Sequence, residues 1–292
     1  MHLSLLALSL GLLAPLAAVA APTAPQALTP FGHLSTTQVH EVPEGASVHH
    51  VGDEVHIVNP EGAILHKATP NGNFTRATPS PAAGGLQNGW IAYAYWLSNS
   101  IWPINYFDTT WTVPPLPQRP NDGQTLFLFN ALEPAVNGHW GGAILQPVLQ
   151  YGVSAAGGGP YWSIANWYGS NGVYWHTPLI KVAPGRVLTG VMTLTGTTAN
   201  GWNYNSFFNG IGGKMIVYNS RELRWASETL EAYGLKSVLD FPKGSTTLGN
   251  LHLRTVAGYP GVTWTTVSTP VDTTSAKVLR QGSNGGSIQI IY

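Results

Sequence analysis

Short runs of apolar and β-branched positions, broken by polar clusters, recur along the chain after residue 86. The tracts Trp90–Trp96, Thr109–Val113, Thr125–Phe129, Ile144–Tyr151, Leu188–Leu194, Lys214–Tyr218, Val262–Val267 and Ser287–Tyr292 are rich in Val, Ile, Thr and aromatic residues. Clusters of Asn, Gly, Pro and Asp separate them. This pattern predicts strands joined by turns. Helical spacing is absent except for a short turn expected near Ala232–Val238. About ten or more strands in one stretch call for an all-β fold, a two-sheet antiparallel β-sandwich of the concanavalin or lectin-like jelly-roll type.

The first residues follow a different rule. Leu3 to Leu16 is an apolar run followed by Ala18-Val19-Ala20, the form of a signal peptide over residues 1–20. No later run is long enough to span a bilayer, so the expectation is a secreted, extracellular protein that is not held in a membrane. Residues 21–85 carry six of the ten histidines and end in a Pro/Gly/Ser-rich stretch containing Asn73-Phe74-Thr75, a glycosylation acceptor. They read as a propeptide and linker, with a hairpin expected between His49 and Leu65; a decorative extension is the alternative. Residues 86–292 are the expected β-sandwich domain.

Composition narrows the chemistry. There is no cysteine, which removes disulfides, thiolate nucleophiles and zinc–thiolate sites. Charged residues make up only 9% of the chain and the net charge is zero, so no basic patch exists for nucleic acid. The three histidines after residue 86 (His139, His176, His252) lack metal-ligand spacing, and no Gly-x-Ser-x-Gly elbow occurs. Asp108-Thr109-Thr110 and Asp272-Thr273-Thr274 lack the glycine of an aspartic-protease motif and read as turn or strand-start residues.

Two tracts remain. Trp225-Ala226-Ser227-Glu228-Thr229-Leu230-Glu231 puts Glu228 on a face with Ala226 and Leu230, and Glu231 on the mixed face of Ser227 and Thr229. A carboxylate among apolar neighbours has its pKa raised, which suits an acid/base; a solvated Glu231 costs little. Ala143-Ile144-Leu145-Gln146-Pro147-Val148-Leu149-Gln150 puts Gln146 and Gln150 on one face, as amides lining a groove or as satisfied buried amides. Glu133, Trp167 and Tyr168 are further candidates for contacting a substrate.

These tracts resemble the eqolisins, the glutamic peptidases, over about residues 88–292. Ala143-Ile144-Leu145-Gln146 has the form of the strand bearing that family's Gln, and Trp225 to Glu231 keeps the Trp, both Glu and the spacing of the strand bearing its Glu. Phe107 to Pro114, Trp167-Tyr168, Val182 to Leu188 and the closing Ser287–Tyr292 follow in the same order. Pro147-Val148 replaces Thr-Gly, Asn166 replaces an acidic residue, and the family's acidic composition and cysteine pairs are missing. The resemblance implies an exported, propeptide-bearing β-sandwich acid endopeptidase with Gln146 and Glu228 as catalytic dyad and no cofactor or metal. Gln150, Glu133, Trp167 and Tyr168 are expected at the substrate, and protonation of the six N-terminal histidines below about pH 6 is expected to loosen the propeptide and start self-cleavage. Polypeptides are then the partners of a monomer. A carbohydrate-binding or glycoside-hydrolysing sandwich, for which Glu133 is a distant second carboxylate, and a non-catalytic relative are the rival expectations.

Overall fold

The computed structural model describes residues 25–70, 80–81, 87–136, 139–140, 142–269 and 274–292. The expected signal peptide, the Asn73 acceptor, most of the linker and Asp272-Thr273 lie outside them. In chain order the strands are β1 (Gln26–Thr29), β2 (Gly32–Ser35), β3 (Val39–Glu41), β4 (Ser47–Val51), β5 (Glu54–Val58), β6 (Ile64–Ala68), β7 (Ser80–Pro81), β8 (Gln87–Leu97), β9 (Ile104–Thr112), β10 (Thr125–Glu133), β11 (Ala135–Val136) and β12 (His139–Trp140). There follow β13 (Ala143–Ser154), β14 (Gly157–Ser170), β15 (Val173–His176), β16 (Ile180–Lys181), β17 (Val187–Thr198), β18 (Gly201–Phe208), β19 (Met215–Ser220), β20 (Trp225–Tyr233), β21 (Ser245–Thr255), β22 (Thr265–Ser268), β23 (Ser275–Arg280) and β24 (Asn284–Ile291). Every tract expected as a strand contains one. The turn expected near Ala232–Val238 is a 3-10 turn at Val238–Asp240 capped by Ser237; Ala232 belongs to β20.

Two large sheets form. Sheet one runs β22-β8-β20-β10-β13-β14-β15-β3, and sheet two runs β23-β24-β21-β9-β17-β18-β19-β4-β5-β6. Their facing sides bury one continuous core. From sheet one it takes Leu126, Leu128, Leu132, Leu145, Leu149, Ala226 and Leu230; from sheet two it takes Phe107, Trp111, Leu188, Met192, Leu251 and Leu253. Burial of each large apolar side chain contributes roughly 1.5–3 kcal/mol, so this interior decides the architecture: a β-sandwich. The opposite face of sheet one is also buried, under a second cluster that includes Trp90, Phe127, Phe129, Val148, Trp167, Tyr174 and Phe31.

That second cluster depends on the N-terminal segment, which is not a separate layer. The hairpin expected between His49 and Leu65 exists as β4–β5, with His49 opposite His56. It joins sheet two through β4, parallel to β19, while β3 joins sheet one parallel to β15. The sandwich, antiparallel elsewhere, is parallel at these two joins. The β1–β2 hairpin lies over the outer face of sheet one. Its Phe31, 4% exposed, stacks on Tyr174 with ring centroids 4.4 Å apart. His33 meets Tyr233 edge-on at 6.1 Å, and the Leu28 carbonyl accepts a hydrogen bond from the Ala155 N–H at 2.7 Å.

Candidate functional site

Register decides which side of sheet one each candidate occupies. Glu228 stands opposite Asn130 in β10 and Ala94 in β8. It takes a hydrogen bond from the Thr109 hydroxyl, which belongs to sheet two, so Glu228 points into the interior between the sheets. Asn130 is on the same side, donating to the Gly190 carbonyl of sheet two at 3.2 Å. Pro147 is there as well: a Cβ on Gly190 would come within 2.7 Å of both the Asn130 side chain and the Pro147 ring.

Gln146 therefore faces the other way. Leu132 pairs with Leu145 and Phe129 with Val148 in one register, which sets Gln146 beside Ala131 on the outer face; Trp167 flanks it from β14. The expected pairing of Gln146 with Glu228 is corrected by this geometry. The two side chains leave opposite faces of one sheet and share no hollow. Glu228 was read correctly as sitting among apolar neighbours, but those neighbours are the core and not the wall of a cleft. Burial holds its carboxyl well above the ordinary carboxylate range; the Thr109 hydrogen bond works against that shift and the charge of Asp108 adds to it. Tyr168 is corrected too. It lies in the core, stacked on Trp175 at 5.6 Å, with its hydroxyl 2.7 Å from the His50 ring. Asn166 is also on the interior side, where its amide oxygen accepts from Ser206.

The outer face collects the remaining candidates. Gln146, Gln150, Glu133 and Glu231 all lie on it, and each is at most 1% exposed. Phe127 in β10 is in register with Gln150 in β13 on one side and with Glu231 in β20 on the other. Two strand spacings, roughly 10 Å between backbones, separate Gln150 from Glu231. Glu231, expected to be a solvated carboxylate, is enclosed, and the Tyr233 hydroxyl donates to it. Burial and then the charge of Glu231 push the Tyr233 phenol far above its usual range, so it stays a donor. Tyr174 is shifted the same way by burial, then by Glu231 and Glu133.

The two amides differ. Gln150 is fully engaged: it donates to the carbonyls of Gly152 (2.9 Å) and Gly157 (3.0 Å) and accepts from the Ser154 hydroxyl (2.8 Å). The turn between β13 and β14 wraps it so closely that a Cβ on Gly158, whose φ is +113°, would sit 2.6 Å from its nitrogen. Gln146 has neither amide atom paired among the described residues. Leaving a buried amide unsatisfied costs about 1–3 kcal/mol per group. Its closest carboxylate neighbour by register is Glu133, a diagonal neighbour across β10 and β13 at roughly 7–8 Å. Trp167, flanking Gln146, rests on His176 at 4.9 Å.

Sequence reasoning missed Glu231 because a mixed polar face reads as solvated. The signal available was Tyr233, a hydroxyl donor two residues from Glu231 on the same face.

No family model and no curated protein matches the chain. In shape it is similar to solved structures of scytalido-glutamic peptidase with a peptide-based transition-state analog (13% identity, TM-score 0.43) and with a transition-state analog inhibitor (12%, 0.44). It is also similar to SCP-B, a member of the eqolisin family, in complex with the tripeptide Ala-Ile-His (13%, 0.42). Each similarity covers 70% of this chain and 98% of the other.

Proposed function

We propose that this chain is the precursor of a secreted acid endopeptidase of the glutamic kind, with Glu231 and Gln150 in the roles expected of Glu228 and Gln146. One observation carries the reading. Amides and carboxylates gather on a single sheet face, amid aromatic side chains, and the chain's own N-terminal hairpin closes that face. Segments 1–20 and 21–85 are the proposed signal peptide and propeptide.

In this mechanism a water held between the two side chains attacks the scissile carbonyl carbon. Glu231, ionised, takes the proton from that water and later delivers it to the amine nitrogen as the C–N bond breaks. The Gln150 carboxamide donates to the oxyanion. In the closed precursor both N–H groups of Gln150 are occupied by backbone carbonyls. Removing the hairpin breaks the Leu28–Ala155 contact, frees the glycine-rich turn that carries Gly157 to withdraw from Gln150, and releases one donor. Ser154 keeps the amide oriented through its oxygen, and Tyr233 holds the carboxylate.

The orphaned Gln146 amide favours a second pairing, Gln146 with Glu133. Four variants separate the two. On the acid-treated protein, Glu231→Gln and Gln150→Ala are expected to abolish casein digestion between about pH 2 and 5, and Glu133→Gln and Gln146→Ala to leave it. The reverse result transfers the chemistry to the second pair. Activity in all four sinks the peptidase reading of this face. A glycosidase fits poorly. Glu133 and Glu231 are six residues apart by register, roughly 20 Å along the strands, against the roughly 5–9.5 Å that two glycosidase carboxylates need.

A further inference from the structure

Where the β4–β5 hairpin meets the ends of β14, β18 and β19, a cavity of about 420 Å³ opens. None of Gln146, Gln150, Glu133 and Glu231 lines it. Its volume falls in the range of pockets that hold small organic molecules, roughly 300–1,000 Å³. Its two walls come from distant parts of the chain. The hairpin supplies His50, Asp53 and Glu54, and the sandwich supplies Ser170, Asn171, Asn200, Trp202 and Arg221.

The walls carry opposite charge. On the sandwich side the cation is Arg221, which is exposed and presents five N–H donors in a planar fork. On the hairpin side stand two acids. Glu54 is held by His56 at 2.7 Å and by Lys67 at 3.3 Å. Asp53, exposed at the tip of the turn, has no ion pair among the described residues. His50 adds no charge at pH 7. The Tyr168 phenol, raised far above its usual range by burial, donates to His50 Nε2 at 2.7 Å, which puts the ring proton on Nδ1. Burial, then Arg221, hold the imidazole at about 4, so it is a neutral donor.

The uncharged lining divides into groups that build the cavity and groups left over. Asn219 accepts from the Thr198 hydroxyl at 2.8 Å and donates to the His50 carbonyl at 3.4 Å, which clamps the hairpin to the sandwich. Ser170 and Ser220 bond the Tyr168 hydroxyl. Asn171, held at φ +46° in its turn, and Asn200 have no side-chain hydrogen bond among the described residues. Trp202 packs against the core on one side and lines the cavity on the other.

We propose that this cavity binds a free α-amino acid as its zwitterion, with the carboxylate on Arg221, the ammonium on Asp53 and an apolar side chain against Trp202. Hydrogen bonds between ionised partners are the strong ones, and both ends of this ligand make them. A simple anion is repelled by Asp53 and Glu54, and a simple cation by Arg221. A molecule that carries both charges apart matches both walls. Asn171 and Asn200 are left to bond the remaining polar atoms. Such a ligand touches hairpin and sandwich at once, so its binding stabilises the form in which residues 50–55 stay in place. The site is independent of any peptide cleavage on the outer face of sheet one.

Isothermal titration calorimetry of the full-length chain at pH 7 tests this with L-phenylalanine and L-leucine. At least one is expected to bind with a Kd below about 1 mM. Its N-acetyl derivative, which lacks the ammonium, and its amide, which lacks the free carboxylate, should each bind at least about tenfold more weakly. Asp53→Asn should weaken the free amino acid about tenfold and leave the N-acetyl form unchanged. Arg221→Gln should do the same, and leave the amide unchanged. Asp53 is exposed in a turn, so its variant decides the matter if Arg221→Gln does not fold. The bound ligand should also slow amide exchange in residues 50–55. No binding of either amino acid at about 10 mM, equal binding of a blocked derivative, binding of glucose or phosphate instead, or an unaltered affinity in Asp53→Asn would overturn the site.

Discussion

Two acids on the same strand, Glu228 and Glu231, have opposite surroundings. Glu228 enters the core between the sheets, where a hydroxyl from the facing sheet meets it and burial raises its pKa well above the ordinary carboxylate range. Glu231 enters the outer face, in a row with Phe127 and Gln150, under the β1–β2 hairpin, the segment proposed to be removed. Both are fully buried, so burial alone does not tell them apart. The cover does: one lid is a whole β-sheet, the other is two short strands from the chain's N-terminus. A chemical group is useful where its cover is removable.

The sharpest way to break this comparison is to neutralise each acid in turn. Glu231→Gln should lower casein hydrolysis by about 10²–10⁴-fold, and Glu228→Gln should change it less than about threefold, measured as initial rates on the processed protein. Loss of activity in Glu228→Gln with a native unfolding profile would reverse the assignment. Gln150→Ala should cost about 10²–10³-fold in kcat. Ser154→Ala, acting through Gln150, should cost about tenfold in kcat with KM unchanged, and Ser154→Thr should restore it.

A stability measurement comes next. The pKa of Glu228 is raised on folding, so its stabilising contribution is complete below the ordinary 4.5 and declines as pH rises above it. Glu228→Gln should accordingly stabilise the fold by about 1–3 kcal/mol at pH 7, and the gain should vanish by about pH 4 in urea unfolding. A gain independent of pH would mean that the Glu228 carboxyl is not perturbed. The smallest effect is local. Phe31→Ala removes the stack on Tyr174 and should open the β1–β2 hairpin, read as faster amide exchange in residues 26–35 with unchanged protection in β20.

Much of this was legible before folding. Tracts of β-branched and aromatic residues located β8, β9, β10, β13, β17, β19, β22 and β24, and the face assignments within β20 and β13 were right: Ala226, Glu228 and Leu230 do share one side, and Gln146, Val148 and Gln150 share another. What could not be read was which face of β13 lies on the same side of the sheet as which face of β20. Each strand fixes its own two faces, but the strand between them, β10, sets their relation, and its register came only with the ladder: Phe129 opposite both Val148 and Thr229. A shift of one residue exchanges the faces. The same limit made Tyr168 look available when it is core, and Glu231 look solvated when it is roofed.

The sequence by itself determined the all-β class, the short list of carboxylates and amides able to act, and the distinct histidine-rich N-terminal segment, because alternation and composition are local properties. Tertiary structure alone decided which amide shares a face with which acid, that Glu228 is a core acid, and that residues 26–35 cover the opposite face. Those depend on strand register and on contacts between residues far apart in the chain, which no local pattern encodes.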